Sequence, residues 1–291
     1  MRAALLGAAL ALGAMRSASA ATRIPINAEL ERLEGQGFHA AGGAKARVKQ
    51  GELWAALFKR DDGTQRLYVY LHDAKSVHTL HMELGGSSRI ELDGIHSEGV
   101  LPDLEKDGAR IIAYRVVLPA LDQETLVILR YAKGTLEKTA RVPGGRFQDL
   151  DGDGRPEVVG RERPLGALFT IGCQSFHTMA QSAWRVGVQA LRGGTLVKAS
   201  EEQRPFFERR IADTRRRLSA IDARATEDYG GFLGATLSVY FDYAAMGRGR
   251  EGWREFRALY PVKASDPGPV KRCFQDMEAE LRRRLAIPED W

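Results

Sequence analysis

Asp149-Leu150-Asp151-Gly152-Asp153-Gly154-Arg155-Pro156-Glu157 is the stretch whose residue types and spacing could do chemistry. Carboxylates stand at its first, third and fifth positions. Like charges this close repel one another unless a counter-ion is present, and a hard divalent cation removes that cost. Alternating positions let the chain curl until Asp149, Asp151 and Asp153 converge, and Gly154 permits the sharp turn. The carbonyl of Arg155 can add a backbone oxygen, and Glu157 can close the shell. An all-oxygen donor set suits Ca²⁺ over Zn²⁺. The alternative is a solvated Asp-Gly turn without metal.

The loop departs from an EF-hand. Its twelfth position is Gly160 rather than a bidentate Glu, and Pro156 with Val158-Val159 favours a strand where an EF-hand has a helix. With its flanks, Phe147 to Val159, the segment resembles the calcium loop of FG-GAP/VCBS repeats. That resemblance implies β-propeller-type blades and a single, structural Ca²⁺. A further stretch runs from Trp184 to Lys198, through Glu201 to Leu218, to Gly230-Gly231-Phe232-Leu233 and Gly249-Arg250-Glu251-Gly252-Trp253. It is similar to the layout of uncharacterised exported bacterial proteins that carry one such loop, with a strand pair and then helices after it. No activity comes with this likeness. Asp-rich loops are missing near Asp61 and Asp107, which departs from a multi-site propeller.

The elements that must position the loop are read from periodicity. From Gly51 the signals are β: Leu53 to Phe58, an Asp61-Asp62-Gly63-Thr64 hairpin, Leu67 to Leu71, Val77 to Leu84 and Arg89 to Leu92. Ile111 to Leu118, Leu126 to Tyr131 and Thr135 to Val142 follow, then the loop, Val158-Val159, Trp184 to Leu191 and Thr195 to Lys198. Gly134-Thr135-Leu136-Glu137-Lys138 recurs as Gly194-Thr195-Leu196-Val197-Lys198 at a spacing of 60, with the hairpin near Gly63 as a third, degenerate copy. Repeats of this kind point to meanders or incomplete propeller blades. The character changes at Ser200, a candidate N-cap. Glu201 to Leu218, Phe232 to Met246, a short helix around Trp253 and Phe256, and Val270 to Leu285 read as helices. The expected fold class is α+β: an antiparallel β-rich part over 51–199, then a helical part over 200–291. Residues 21–50, with Gly35, Gly37, Gly42 and Gly43, read as a flexible connector after a short helical turn.

Arg2, the apolar run Ala3 to Met15 and Ala18-Ser19-Ala20 have the form of a secretory signal cleaved between Ala20 and Ala21. A membrane anchor is the alternative, but the run falls short of the roughly 20 apolar residues that span a bilayer. The expected location is periplasmic or secreted, with no membrane-spanning segment. Formal net charge is +5, and loss of Arg2 and Arg16 with the leader lowers it to +3. So small a surplus fits loose attraction to anionic envelope polymers and gives little support to a nucleic-acid partner. Two cysteines, Cys173 and Cys273, form a candidate disulfide in an exported chain. Closing a loop of about 100 residues would stabilise by roughly 4.7 kcal/mol in the chain-entropy model. Two separate buried thiols are the alternative.

Other reactive groups do not assemble into a reaction. Four of the six histidines (His39, His72, His78, His81, His96, His177) lie between residues 72 and 96. His78 and His81 would point to opposite faces of a strand, without an acidic partner that completes a metal pattern. Cys173 and His177 are close in sequence, but a thiolate hydrolase also needs an oxyanion hole. No nucleophile elbow, phosphate loop or zincin helix is present. The expected role is therefore an exported calcium-binding protein that serves as a non-enzymatic envelope binding or structural component, its partner an envelope protein or polymer. The alternative is an exported hydrolase with its site between the β and helical parts. A third reading, polyanion binding, needs Arg209-Arg210, Arg215-Arg216-Arg217 and Arg282-Arg283-Arg284 to share one face.

Overall fold

The computed structural model describes residues 26–166, 175–222, 229–259 and 264–291. It is α+β. Three consecutive four-stranded antiparallel meanders come first. The first sheet is β1 (Phe38–Val48), β2 (Gly51–Arg60), β3 (Gln65–His72) and β4 (Val77–Leu84). The second is β5 (Arg89–Leu92), β6 (Arg110–Leu118), β7 (Gln123–Ala132) and β8 (Thr135–Pro143). The third is β9 (Arg146–Gln148), β10 (Glu157–Glu162), β11 (Arg185–Arg192) and β12 (Thr195–Lys198). They remain three separate sheets and close into neither a barrel nor a propeller.

The sheets stack face to face, and strand alternation sets which side chain enters which layer. Ile112 and Tyr114 of β6, with Val127, Leu129 and Tyr131 of β7, pack on Leu53, Ala55, Leu57, Leu67 and Val69 of the first sheet. Their neighbours Ile111, Ala113, Leu126 and Ile128 face the opposite way and pack with Val142 and Val158 of β8 and β10. The second sheet is thus buried on both faces, which is why its strands are continuous apolar runs. The first sheet's outer face is covered by α1 (Ile26–Gly35), with Leu33 against Phe38, Phe58, Tyr68 and Tyr70. The third sheet's outer face is covered by α3 (Arg204–Ser219) and α4 (Tyr229–Ala245): Val186 and Val188 meet Phe207, Ile211, Val239 and Tyr243. The stack is therefore capped by helices at both ends.

The far side of α4 packs with α2 (Ser175–Ser182), α5 (Gly249–Ala258) and α6 (Gly268–Leu285) around Met179, Leu237, Trp253, Phe256, Met277 and Leu281. Close approach of α5 to α4 requires Gly252, since a Cβ there would stand 2.5 Å from Tyr243 Cβ and 3.0 Å from the Tyr240 carbonyl. Among the described residues no helix is long and apolar enough to cross a membrane.

Three sequence expectations change. The described part of the supposed flexible segment 21–50 is α1 and β1, and β1 pairs with β2 from Phe38↔Arg60 to Val48↔Gly51. Its other edge exchanges bonds with a crossing segment, Lys45 N–H to the Gly99 carbonyl (2.9 Å) and Leu101 N–H to the Lys45 carbonyl (3.1 Å). This ladder overrides the weak strand propensity of an Ala- and Gly-rich run. The division at residue 200 is also blurred, because α2 lies between β10 and β11 and contributes Met179 and Ala180 to the helical core. Finally, Ser200 does not cap α3. Its hydroxyl accepts from Val188 N–H (3.0 Å) and approaches the Val188 carbonyl (3.3 Å), so it pins the connecting segment to β11, and the helix begins at Arg204.

Candidate metal centre

The Asp-rich loop is the turn between β9 and β10, the first hairpin of the third sheet. Each Asp anchors the backbone that presents it. Asp149 accepts from Gly152 N–H (2.8 Å) and Gly154 N–H (3.0 Å), Asp151 from Asp153 N–H (3.1 Å), and Asp153 from Arg155 N–H (2.7 Å). The Asp151 and Asp153 bonds are Asx-turn bonds, two residues on, while Asp149 reaches further across the loop. Gly152 and Gly154 take φ of +80° and +78°, left-handed values that a side chain would strain. The curl brings one carboxylate oxygen of each of Asp149, Asp151 and Asp153 within 4.8 Å of the others, on an exposed face.

Glu157 is not in that converging group. Its carboxylate is buried and directed inward, where Oε2 accepts from Leu150 N–H (3.1 Å) and Oε1 lies 3.4 Å from Gln203 Nε2. Burial raises its pKa, and the negative charges of Asp151 and Asp153 raise it further. Arg155 reaches the group through its backbone, and it lines the adjoining cavity. Among the described residues none of the four carboxylates forms a salt bridge. Elsewhere acidic side chains are commonly matched by arginine, as in Arg115–Glu91 and Arg185–Glu162. Oxygen donors alone, converging and without a cationic side chain, fit a hard divalent ion.

A polar cavity of about 480 Å³ opens beside the loop, bordered by Glu105, Asp151, Asp153, Glu157, Glu202 and Gln203 among others. Gln203 stands at the N-cap position of α3, and its Nε2 lies 3.4 Å from Asp151 Oδ2 as well as from Glu157. Sequence reading missed Gln203, Glu105 and Glu202 because they are 46 or more residues from their loop partners or enter from another sheet. The one local signal is a Gln where a helix start favours Ser, Thr, Asp or Asn.

The histidines are engaged one at a time. His78 Nε2 meets Asp73 (3.0 Å) and Ser76 (2.9 Å). His81 Nε2 meets the hydroxyl of Tyr114 (3.0 Å), which in turn donates to Glu83 (2.8 Å). His72 packs edge-on to Trp54. His96 is buried between Val100 and β6: Nδ1 donates to the Val100 carbonyl (3.2 Å) and Nε2 accepts from Ala113 N–H (2.9 Å). That pair of bonds requires the neutral ring. Burial accordingly lowers the pKa of His96 below 6.5, against a smaller opposing pull from the Val100 carbonyl and Asp93. The unfolded chain then binds a proton near pH 6.5 that the folded chain refuses, so His96 favours folding above that pH and the contribution is lost as pH falls through it. We expect His96→Leu to cost about 1–3 kcal/mol near pH 8, where it orphans the Ala113 amide, and less near pH 5. Urea unfolding at the two pH values checks this, and a difference that grows on acidification would contradict it.

Cys173 lies outside the described residues, and so does the side chain of His177. Cys273 lies on α6. Six of the eight clustered arginines pair with acids. Arg210 pairs with Asp242, Arg215 with Glu255, Arg216 with Asp213, Arg282 with Glu278, and both Arg283 and Arg284 with Glu280.

Comparison with protein-family models, with curated proteins and with solved structures finds no match. The likeness to FG-GAP/VCBS loops therefore stands on the loop residues alone.

Proposed function

We propose that this is an exported, periplasmic or secreted calcium-binding protein in which a single structural Ca²⁺ in the 149–157 loop rigidifies the third sheet. Its role is to bind or brace an envelope protein or polymer, not to catalyse a reaction. One observation carries the reading: three carboxylates converge within 4.8 Å, and among the described residues no cationic side chain pairs with them. Asp149, Asp151 and Asp153 supply the first ligands and the Arg155 carbonyl a further oxygen, while Glu157, directed inward, supports the loop from behind through Leu150 N–H. Export rests on the leader-like residues 1–20, which lie outside the described residues. A Cys173–Cys273 disulfide is consistent with that location.

Calorimetry of the protein with Ca²⁺ is the test. The expected dissociation constant is on the order of 10⁻⁴ to 10⁻³ M, the range of extracellular modules. Asp151→Ala combined with Asp153→Ala is expected to abolish the heat. No heat in the wild type up to several millimolar Ca²⁺ would remove the reading.

The polar cavity favours a second reading, a hydrolase with its site between the β and helical parts, since Glu157 there has a raised pKa. It ranks second because the cavity's acids are already engaged. Glu157 accepts from Leu150, Glu105 accepts from Gly194 N–H (2.9 Å), and Glu202 pairs with Arg192. Hydrolysis of an envelope polymer, lost in Glu157→Gln, would reverse that order.

A further inference from the structure

We propose that Gln203 is a positioning residue through which a cation in the 149–157 loop holds α3 against the third sheet. The proposal rests on the calcium reading above and adds to it a route from the metal to the helical layer.

Gln203 occupies the N-cap position of α3 and makes no capping bond. A residue there ordinarily turns its side chain back onto the first amides of the helix. Pro205, in the first turn, removes one of the donors that a cap would serve. The amide of Gln203 is buried and directed the other way, with Nε2 at 3.4 Å from both Asp151 Oδ2 and Glu157 Oε1. Among the described residues it is the only side chain from outside the loop that hydrogen-bonds the loop's carboxylates. The amide carries two N–H groups, one for each carboxylate, and both contacts are long because the two carboxylates repel. A cation bound beside Asp151 neutralises that repulsion and lets both oxygens close on the amide.

A second tie runs beside the first. Leu150, between the first two aspartates, packs on the cluster that contains Phe207 and Ile211 of α3. The loop thus meets the start of α3 through a polar contact and joins the apolar cluster in which that helix is seated. Sequence-adjacent Asp151 belongs both to the cation group and to the Gln203 contact. Whatever orders the loop must order the start of α3.

Hydrogen–deuterium exchange of the full chain, with and without Ca²⁺, tests the coupling alongside calorimetry. In the wild type, Ca²⁺ is expected to slow exchange of the α3 amides about 10-fold, within the usual span of coupling between sites. Gln203→Met should remove most of that slowing and weaken Ca²⁺ binding by a matching factor, because coupling is reciprocal. Gln203→Glu keeps the side chain's shape and serves if the Met variant folds poorly. It should make α3 exchange faster than wild type without Ca²⁺ and restore protection with it. No heat of binding in the wild type overturns the calcium reading and this proposal together. Heat of binding with unchanged α3 exchange, or equal slowing in wild type and both variants, leaves the calcium reading standing and overturns the role of Gln203.

Discussion

Arg210→Met is expected to lower stability by about 3–5 kcal/mol near pH 8 and by only about 1 kcal/mol near pH 5. Asp242 on α4 is 1% exposed, and Nε of Arg210 on α3 donates to both of its oxygens at 3.2 Å. Burial raises the Asp242 pKa to about 6, against the attraction of Arg210, which pulls it down. The unfolded carboxyl titrates near 3.8, so between these values the folded chain holds the extra proton. Asp242 therefore favours folding at acid pH, and that contribution fades as pH rises through about 6. Above it the carboxylate is charged, and removing Arg210 leaves it buried without a partner. Near pH 5 it is largely protonated, and little more than a hydrogen bond is lost. Urea midpoints at the two pH values measure the difference, provided the slopes agree. Adding Asp242→Leu should recover most of the loss, as replacing both members of a buried pair usually does. An equal loss at both pH values would show that Asp242 does not carry the effect.

Arg210 also shows where the sequence stops being informative. As part of a run of arginines on α3 it reads as one more solvated charge. Its partner is 32 residues away on another helix, and no local pattern announces that contact. Features with a period were legible. The apolar runs around Ile111–Leu118 and Leu126–Tyr131 declared strands, and their lack of alternation agrees with burial on both faces. The Asp-rich loop was legible because all its parts are local: alternate carboxylates, a turn glycine and a strand after it. The repeated Gly-Thr-Leu hairpin marked the same joint in two sheets, since Gly134 lies between β7 and β8 and Gly194 between β11 and β12. The hairpin near Gly63 is not its third copy, for it joins the second and third strands of its sheet, not the third and fourth. Elements held by tertiary context escaped. β1 is Ala- and Gly-rich, and β9 is three residues long. Ser200 offered the right chemistry for a cap, but β11 took its hydroxyl, and the position passed to Gln203.

The other large effect is expected at Trp253, where replacement by Ala should cost about 3–5 kcal/mol and by Phe roughly a third of that. Trp253 is fully buried on α5, with its ring centroid 5.6 Å from Tyr240 and 5.0 Å from Phe256, and the Arg282 guanidinium lies 5.1 Å over its face. Among the described residues its indole N–H has no hydrogen-bond partner, so Phe loses volume and the cation contact but orphans no acceptor there. The consequence reaches beyond the local cavity because α4 is apolar nearly all round. Leu233, Leu237 and Tyr240 face the Trp253 cluster, while Val239, Tyr243 and Met246 face the third sheet. A helix buried on both sides cannot loosen toward one partner and stay docked on the other. The loss at Trp253 should therefore appear as a single unfolding transition at lower denaturant, with an unchanged slope, in which helical and sheet signals fall together. An earlier loss of the helical signal alone would mean that α4 couples the two layers weakly. In that case the Asp-rich loop, whose Gln203 contact reaches the start of α3, would hold the third sheet to its helices more firmly than α4 does.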